Sequence, residues 1–299
     1  MPSQPPEWLR RQERGNAFLL GLFTRLALLI GRRPSRFFLP PICLYFMLFS
    51  SRASAASRQY LSRALGRTAR MRDLFRHYHC FASCVLDRVF LLRNQKDAFD
   101  IRIFGESLVN DILTKGTGCI LVGAHMGSFE VLRVIGRNKP ALRVRMLMFE
   151  ENARKVTSVL NAIAPDLVGD TINLGKPDSF LQVQSSLAAG EFVGILADRS
   201  LTAERKIAHP FLGVPASFSV NPFRIMGILR VPVVLMIGLY QGGNRYDVHF
   251  EPFMDARTAD LGRMSAAALE DIVRRYVERL EHYARLAPYN WFNFFDLWR

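Results

Sequence analysis

The stretch from Gly118 to Arg133, GCILVGAHMGSFEVLR, constrains the fold more than any other part of the chain. Its apolar run, Cys119 to Val122, has the length and β-branched content of a strand buried on both faces. Gly123 and Ala124 clear space, His125 stands at the expected C-terminal end of the strand, and Val131 to Ile135 reads as the start of a helix. Open α/β sheets carry their sites at such strand ends. A carboxylate at Glu130, in the first helical turn, can fix the tautomer of the His125 imidazole and stabilise the imidazolium formed when it takes a proton. Ser128 suits the cap of that helix, and the free N–H groups of its first turn, at Gly127 and Ser128, suit an anion. The pattern His-x4-Glu is short, and a buried structural pair satisfies it as well.

The rest of the chain repeats the alternation. Asp100 to Leu113 reads as a short strand and then a helix, and Ala141 to Phe149 as a strand. Asn152 to Ile163 is helical up to Pro165, Thr171 to Leu174 is a brief strand, and Ser179 to Ala189 a helix. Phe192 to Ala197, Val231 to Leu239 and Tyr246 to Phe250 are further strands, and Met264 to Arg285 is a long amphipathic helix opened by Ser265. The expected fold is α/β, with a mixed, mostly parallel central sheet and helices on both faces. An N-terminal hydrophobic helical segment precedes it. Residues 1–49 form that membrane-associating segment and 50–299 one catalytic domain, with neither an internal repeat nor a dividing linker.

The N-terminal segment begins polar and basic, with Trp8, Arg10, Arg11 and Arg14 suited to an interface. Ala17 to Ile30 is apolar apart from Thr24 and Arg25, and is short of the roughly 20 residues a span requires. Arg32, Arg33 and Arg36 separate it from Phe37 to Phe49, which Pro40 and Pro41 are expected to break or kink. A signal peptide fits poorly because Arg25 interrupts the apolar core. A single tilted span and a monotopic helical hairpin in the inner leaflet both remain, the hairpin fitting better. Ser50 to Asn94 is helical, with arginines between its apolar positions.

Forty Lys and Arg against 26 Asp and Glu give a net charge of +14 in 299 residues, and the mean hydropathy is +0.08. Such a balance favours anionic partners, and here an anionic membrane surface or an acidic protein, because no nucleic-acid-binding signature is present. Four cysteines, Cys43, Cys80, Cys84 and Cys119, show no disulfide framework and fit a reducing compartment. His77 and His79 lie near Cys80 and Cys84 on one helical stretch without a second half of a metal site, so core packing is expected there and no metal.

The HMGSFE sequence resembles the His-x4-Asp/Glu motif of the lysophospholipid acyltransferase superfamily, in the His-x4-Glu form typical of the lipid A late acyltransferases. The resemblance extends over roughly residues 50–299. HPFLGVPASF, from His209, is similar to that family's Phe-x-Gly-x-Pro-Ala block, with Phe211, Gly213, Pro215 and Ala216 matching. The block reads as a Pro/Gly-rich loop, and the resemblance implies that Phe211, Gly213 and Pro215 shape an acyl channel. Asn221-Pro222 stands where the family usually has Gly. Phe149 to Arg154 aligns loosely with an Arg-Pro-x-x-Asn block, keeping Asn152 as a substrate-binding candidate without the Arg. Asp198 and Arg199 follow the FVGILA strand; Asp198 matches the family, and Arg199 offers a planar fork of donors to a phosphate or a developing oxyanion. The tail PYNWFNFFDLW echoes a C-terminal aromatic block, as a core plug or an interfacial belt.

What the resemblance implies is a membrane-associated acyltransferase at the cytoplasmic face of a bacterial-type inner membrane. It would move an acyl group from acyl carrier protein or coenzyme A to a hydroxyl or amine of a lipid acceptor, with His125 as base and Glu130 as its partner. No cofactor is implied. A lipid-binding protein without chemistry and a thioesterase are the competing classes. An intact His125–Glu130 pair speaks against the first, and the lack of a Gly-x-Ser-x-Gly elbow against the second.

Overall fold

The computed structural model describes residues 17–137, 142–148, 170–174, 177–199, 205–255 and 265–298. The described chain begins with the apolar helices α1 (Ala17–Ile30) and α3 (Leu39–Phe49), joined through the short basic α2 (Arg32–Ser35), followed by α4 (Ser51–Ala64) and α5 (Met71–Leu92). The sheet is built from β1 (Asp100–Phe104), β2 (Cys119–Gly123), β3 (Val144–Met148), β4 (Thr171–Asn173), β5 (Phe192–Leu196), β8 (Pro232–Gly242) and β9 (Arg245–Asp255). Helices α6 (Glu106–Thr114), α7 (Glu130–Arg137), α8 (Ser179–Ala188), α9 (Asn221–Leu229) and α10 (Ala266–Leu286) cover it, and β6 (Lys206–Phe211) and β7 (Val214–Ser219) form a separate hairpin.

The strand order is β1-β9-β8-β2-β5-β3-β4. From β8 to β4 all neighbours run parallel; β9 is antiparallel to β8, and β1 is parallel to β9. The sheet is therefore mixed and mostly parallel. Strand β2 lies between β8 and β5, and every one of its residues is buried, as a parallel strand covered on both faces requires. Its alternation divides the core. Ile120 and Val122 join Val193, Ile195, Leu235 and Ile237 beneath Val273, Tyr276, Val277 and Leu280 of α10. Cys119 and Leu121 face the opposite way, with Phe192, Val234 and Met236, toward Val89 and Phe90 of α5 and Ile112 of α6.

Local chemistry sets several boundaries. Ser265 caps α10 by accepting from the Ala268 N–H at 3.1 Å. Asp73, in the first turn of α5, accepts from the Arg70 N–H at 2.8 Å and takes both ends of the Arg67 guanidinium.

Three expectations need correction. Pro40 and Pro41 do not break the second apolar run. They sit in the first turn of α3, where a missing N–H costs nothing. The HPFLGVPASF block is a β-hairpin and not an irregular loop. Leu212 (φ 52°) and Gly213 (φ 82°) supply the two left-handed residues of a tight turn, and Pro210 faces Pro215 in a two-stranded ribbon that leaves its outer edges free of ladder bonds. Asn221-Pro222 opens α9, with Pro again at the helix start. Strands β8 and β9 also run longer than hydropathy suggests, joined through Gly242 and Gly243 at positive φ and continued across two register shifts. The helix expected over Asn152 to Ile163 lies outside the described residues.

The N-terminal helices are tied to the sheet by one buried carboxylate. Asp87 of α5 is fully buried and accepts two bonds from Arg32, at 2.7 and 2.8 Å, and one from the Tyr246 hydroxyl at 2.8 Å. Among the described residues no single helix is long and apolar enough to cross a membrane; residues 32–49 and 51–64 pass the test only as a pair bent by 98°. Asp87→Ala should lower stability by about 3 kcal/mol, because it strands a mostly buried guanidinium without its counter-charge. Urea unfolding in detergent checks this, with Asp87→Asn retaining part of the loss as a surviving acceptor.

Candidate active site

The parallel pairing of β2 and β5 builds the site. Cys119 lies beside Phe192 and Gly123 beside Leu196, a constant offset, so extending both strands by two residues brings His125 beside Asp198. The contact forms. His125 Nδ1 lies 2.8 Å from Asp198 Oδ1, and the His125 backbone N–H donates to Oδ2 at 3.1 Å. An ionised carboxylate only accepts, so Nδ1 carries the proton and Nε2 keeps its lone pair. The His125 side chain is 31% exposed, against 2% for Asp198, which leaves the free edge of the ring accessible.

Asp198 is also held from the chain's far end. The Trp291 indole N–H donates to Oδ2 at 2.9 Å, and the Trp291 ring is fully buried, edge-on to Tyr60 and Phe211. The tail carrying it is stitched to the catalytic turn. Met126 pairs with Trp291, the Phe292 N–H donates to the His125 carbonyl at 2.8 Å, and the Gly127 N–H donates to the Asn290 carbonyl at 2.8 Å. The Asn290 side chain receives the Tyr240 N–H and returns a bond to the Tyr240 carbonyl, closing the tail onto β8. Behind Trp291, buried His77 links its carbonyl to the Ser57 hydroxyl at 2.8 and 2.7 Å. Gly127 is obligatory here. Its φ is +59°, and a Cβ would lie 1.8 Å from the Gly238 carbonyl oxygen.

Electrostatics suit a proton acceptor. Burial pushes the His125 pKa down and the Arg199 charge adds to this, outweighing the opposing pull of Asp198. The ring is therefore neutral at physiological pH. Burial alone would raise the Asp198 carboxyl, but His125, Arg199 and the Trp291 N–H together hold it below the usual carboxylate range. Arg199 is half-buried beside it. One of its terminal nitrogens donates to the Phe292 carbonyl at 3.3 Å, and its guanidinium lies over the Phe295 ring.

Several predicted site residues stand elsewhere than expected. Glu130 opens α7, but its Oε1 takes Arg88 of α5 at 2.6 Å, while Asp198 occupies the Nδ1 position assigned to Glu130. The orienting carboxylate comes from a neighbouring strand because that strand shares the register of β2, whereas α7 leaves the sheet toward α5. The N–H groups of Gly127 and Ser128 are not free for an anion: they go to the Asn290 and Gly238 carbonyls. Phe211 is buried against Trp291, and Gly213 and Pro215 sit exposed at the hairpin tip, so this block braces the tail. Asn152 lies outside the described residues. Cys119 is sealed in β2 with its thiol pushed up by burial, which removes it as a nucleophile. Among the described residues no three metal-capable side chains gather. Trp291 and Asn290 were missed; their signal was the aromatic tail, whose partner no sequence pattern names.

Trp291→Phe keeps a ring in place but takes one donor from a buried charge, which should cost about 1.5–3 kcal/mol in urea unfolding. In an Asp198→Asn background the same change should cost clearly less, and equal costs in both backgrounds would show that the indole stabilises through packing alone.

The chain has similarities to known proteins that can be set beside this geometry. No curated protein matches it. Among solved structures, the 1-acyl-sn-glycerophosphate (LPA) acyltransferase PlsC from Thermotoga maritima is similar at 15% identity, with a TM-score of 0.37, over 84% of this chain and 98% of that one. The family model for bacterial lipid A biosynthesis acyltransferases matches residues 18–299. With nearly its whole length covered, the chain belongs to that family and is an acyltransferase.

Proposed function

We propose that the protein transfers a fatty acyl group from an acyl thioester to a hydroxyl or amine of a lipid or lipid-linked acceptor, with His125 as general base. One observation carries this reading: in a chain of this family, a neutral imidazole at the end of a central parallel strand, its Nδ1 fixed by a buried carboxylate and its other edge accessible. His125 Nε2 takes the proton of the acceptor hydroxyl as its oxygen bonds to the thioester carbonyl carbon. The C–S bond then breaks, and the imidazolium returns the proton to the departing thiolate. Asp198 orients the ring and balances its charge, while Arg199, whose charge acts on His125, would stabilise negative charge on the carbonyl oxygen. Glu130 supports the turn through Arg88.

The donor is acyl carrier protein or coenzyme A, and the +14 charge favours the acidic carrier protein. A location at the cytoplasmic face of an inner membrane is supported by the apolar face of the N-terminal helices. Leu29 and Phe37 are 83% and 82% exposed there, with Leu22, Leu44, Leu48 and Phe49 also exposed. In this reading residues 1–49 are the membrane-associating segment and 50–299 the catalytic domain.

The test is transfer of labelled acyl chains from carrier protein to extracted lipids in washed membranes. His125→Ala should lose about 10²–10⁴-fold in turnover. Asp198→Asn should lose at least as much as Glu130→Gln; a larger loss for Glu130→Gln would return the partner role to the His-x4-Glu motif. Label released as free fatty acid would indicate a thioesterase. The pH profile has a defined sign. A base with a lowered pKa stays neutral on acidification, so kcat/KM should hold below the ordinary imidazole value of about 6.5 and fall only at lower pH. Asp198→Asn removes a charge that raises the His125 pKa, so its residual acid limb should move lower still.

A further inference from the structure

Beside His125 the structure leaves two buried polar groups unsatisfied. Asn293 is 2% exposed, and among the described residues neither its Nδ2 nor its Oδ1 has a hydrogen-bond partner. The Nε of Arg199 is likewise buried without a partner. The two residues are neighbours. Arg199 bonds the carbonyl of Phe292, whose peptide bond leads into Asn293, and lies over the ring of Phe295 two residues further on. Phe292 in turn donates its N–H to the carbonyl of His125. Several arginines elsewhere leave a single nitrogen unpaired, but among the described residues Asn293 is the one amide whose two polar ends are both buried and unmatched. A folded chain seldom leaves a whole buried amide unreturned, and where it does, a ligand or an ordered water completes the set.

We propose that Asn293 Nδ2 and Arg199 Nε donate to the carbonyl oxygen of the acyl thioester as it becomes an oxyanion, which gives the C-terminal tail a catalytic residue. The proposal rests on the acyl-transfer reading and extends it. When the acceptor oxygen bonds to the carbonyl carbon and its proton passes to His125, the carbonyl π pair moves onto oxygen. That charge needs donors already in place. The nearby N–H groups of Gly127 and Ser128 are committed to carbonyls within the fold. Among the described residues, an arginine nitrogen and an amide nitrogen stand buried without a partner, at Arg199 Nε and Asn293 Nδ2. As the intermediate collapses, the carbonyl re-forms and the thiolate leaves with the proton from His125. Asn293 Oδ1 is left to accept from a hydroxyl or amide N–H of the bound substrates.

The two roles open to Asn293 predict opposite signs on removal. Asn293→Leu replaces the amide with an apolar group of similar size. If nothing in the free protein satisfies the amide, the melting temperature holds or rises, while kcat for transfer from acyl carrier protein falls about 10²-fold with KM little changed. Asn293→Asp keeps the shape without the N–H donors and should lose a similar factor in kcat. A melting temperature several degrees lower in Asn293→Leu would overturn the proposal by giving the amide a structural partner. So would wild-type turnover in either variant. If the wild type itself shows no His125-dependent transfer, the acyl-transfer reading has failed; if it transfers and both variants match it, only the role of Asn293 has failed.

Discussion

A buried negative charge at Asp198 organises the catalytic end of this protein. A carboxylate with almost no exposed surface is tolerated only when its oxygens are fully engaged, and here they take a ring N–H, a backbone N–H and an indole N–H. Each of those donors belongs to a different part of the structure: the His125 ring, the backbone at the end of β2, and the C-terminal tail. The first two fix the ring and backbone of His125. The third draws the C-terminal tail across the catalytic turn, where Phe292 and Asn290 add their own bonds. One charge thus requires the strand ends, the turn and the tail to assemble together.

The same constraint explains what sequence reasoning could and could not reach. Strand β2 was legible because a strand buried on both faces has little choice of composition, and α10 because Ser265 and a regular apolar stripe mark its start and its face. His125 was legible from its place at a strand end. Its partner was not. A motif read along the chain pairs His125 with the nearest acid, Glu130, whereas parallel pairing supplies Asp198 from a strand that follows two intervening ones. Register between non-consecutive strands leaves no local trace. Asp198 was singled out at its strand end as a group for substrate or oxyanion, without its contact to His125 Nδ1. Trp291 was seen only as one aromatic among several, since its indole N–H gains meaning once the tail is known to fold back over β2.

Turn chemistry accounts for the other differences. Proline was read as a breaker at Pro40 and Pro41, yet both sit where a helix begins and an N–H is dispensable, as Pro222 does at the start of α9. Glycine beside a positive-φ leucine made a hairpin out of what composition suggested was a loop. In each case the residue's local preference was satisfied; what composition lacked was its position within the element.

Two buried carboxylates, read together, suggest how the chain's two ends serve one sheet. Asp87 binds Arg32 and Tyr246, fastening the apolar N-terminal helices beside β9. Asp198 binds Trp291, fastening the C-terminal tail over β2 and β5. The N-terminal helices carry the exposed apolar face, and the tail bonds the His125 backbone and Asp198. Both anchors end on strands of the same sheet, β9 and β5, so the orientation of the apolar face and that of the imidazole are set against one common element. For an acyltransferase drawing its acceptor from a lipid surface, that common frame matters more than the strength of either anchor. In the proposed reading, a base held at a fixed height above that surface would meet a hydroxyl at a fixed depth within the acceptor.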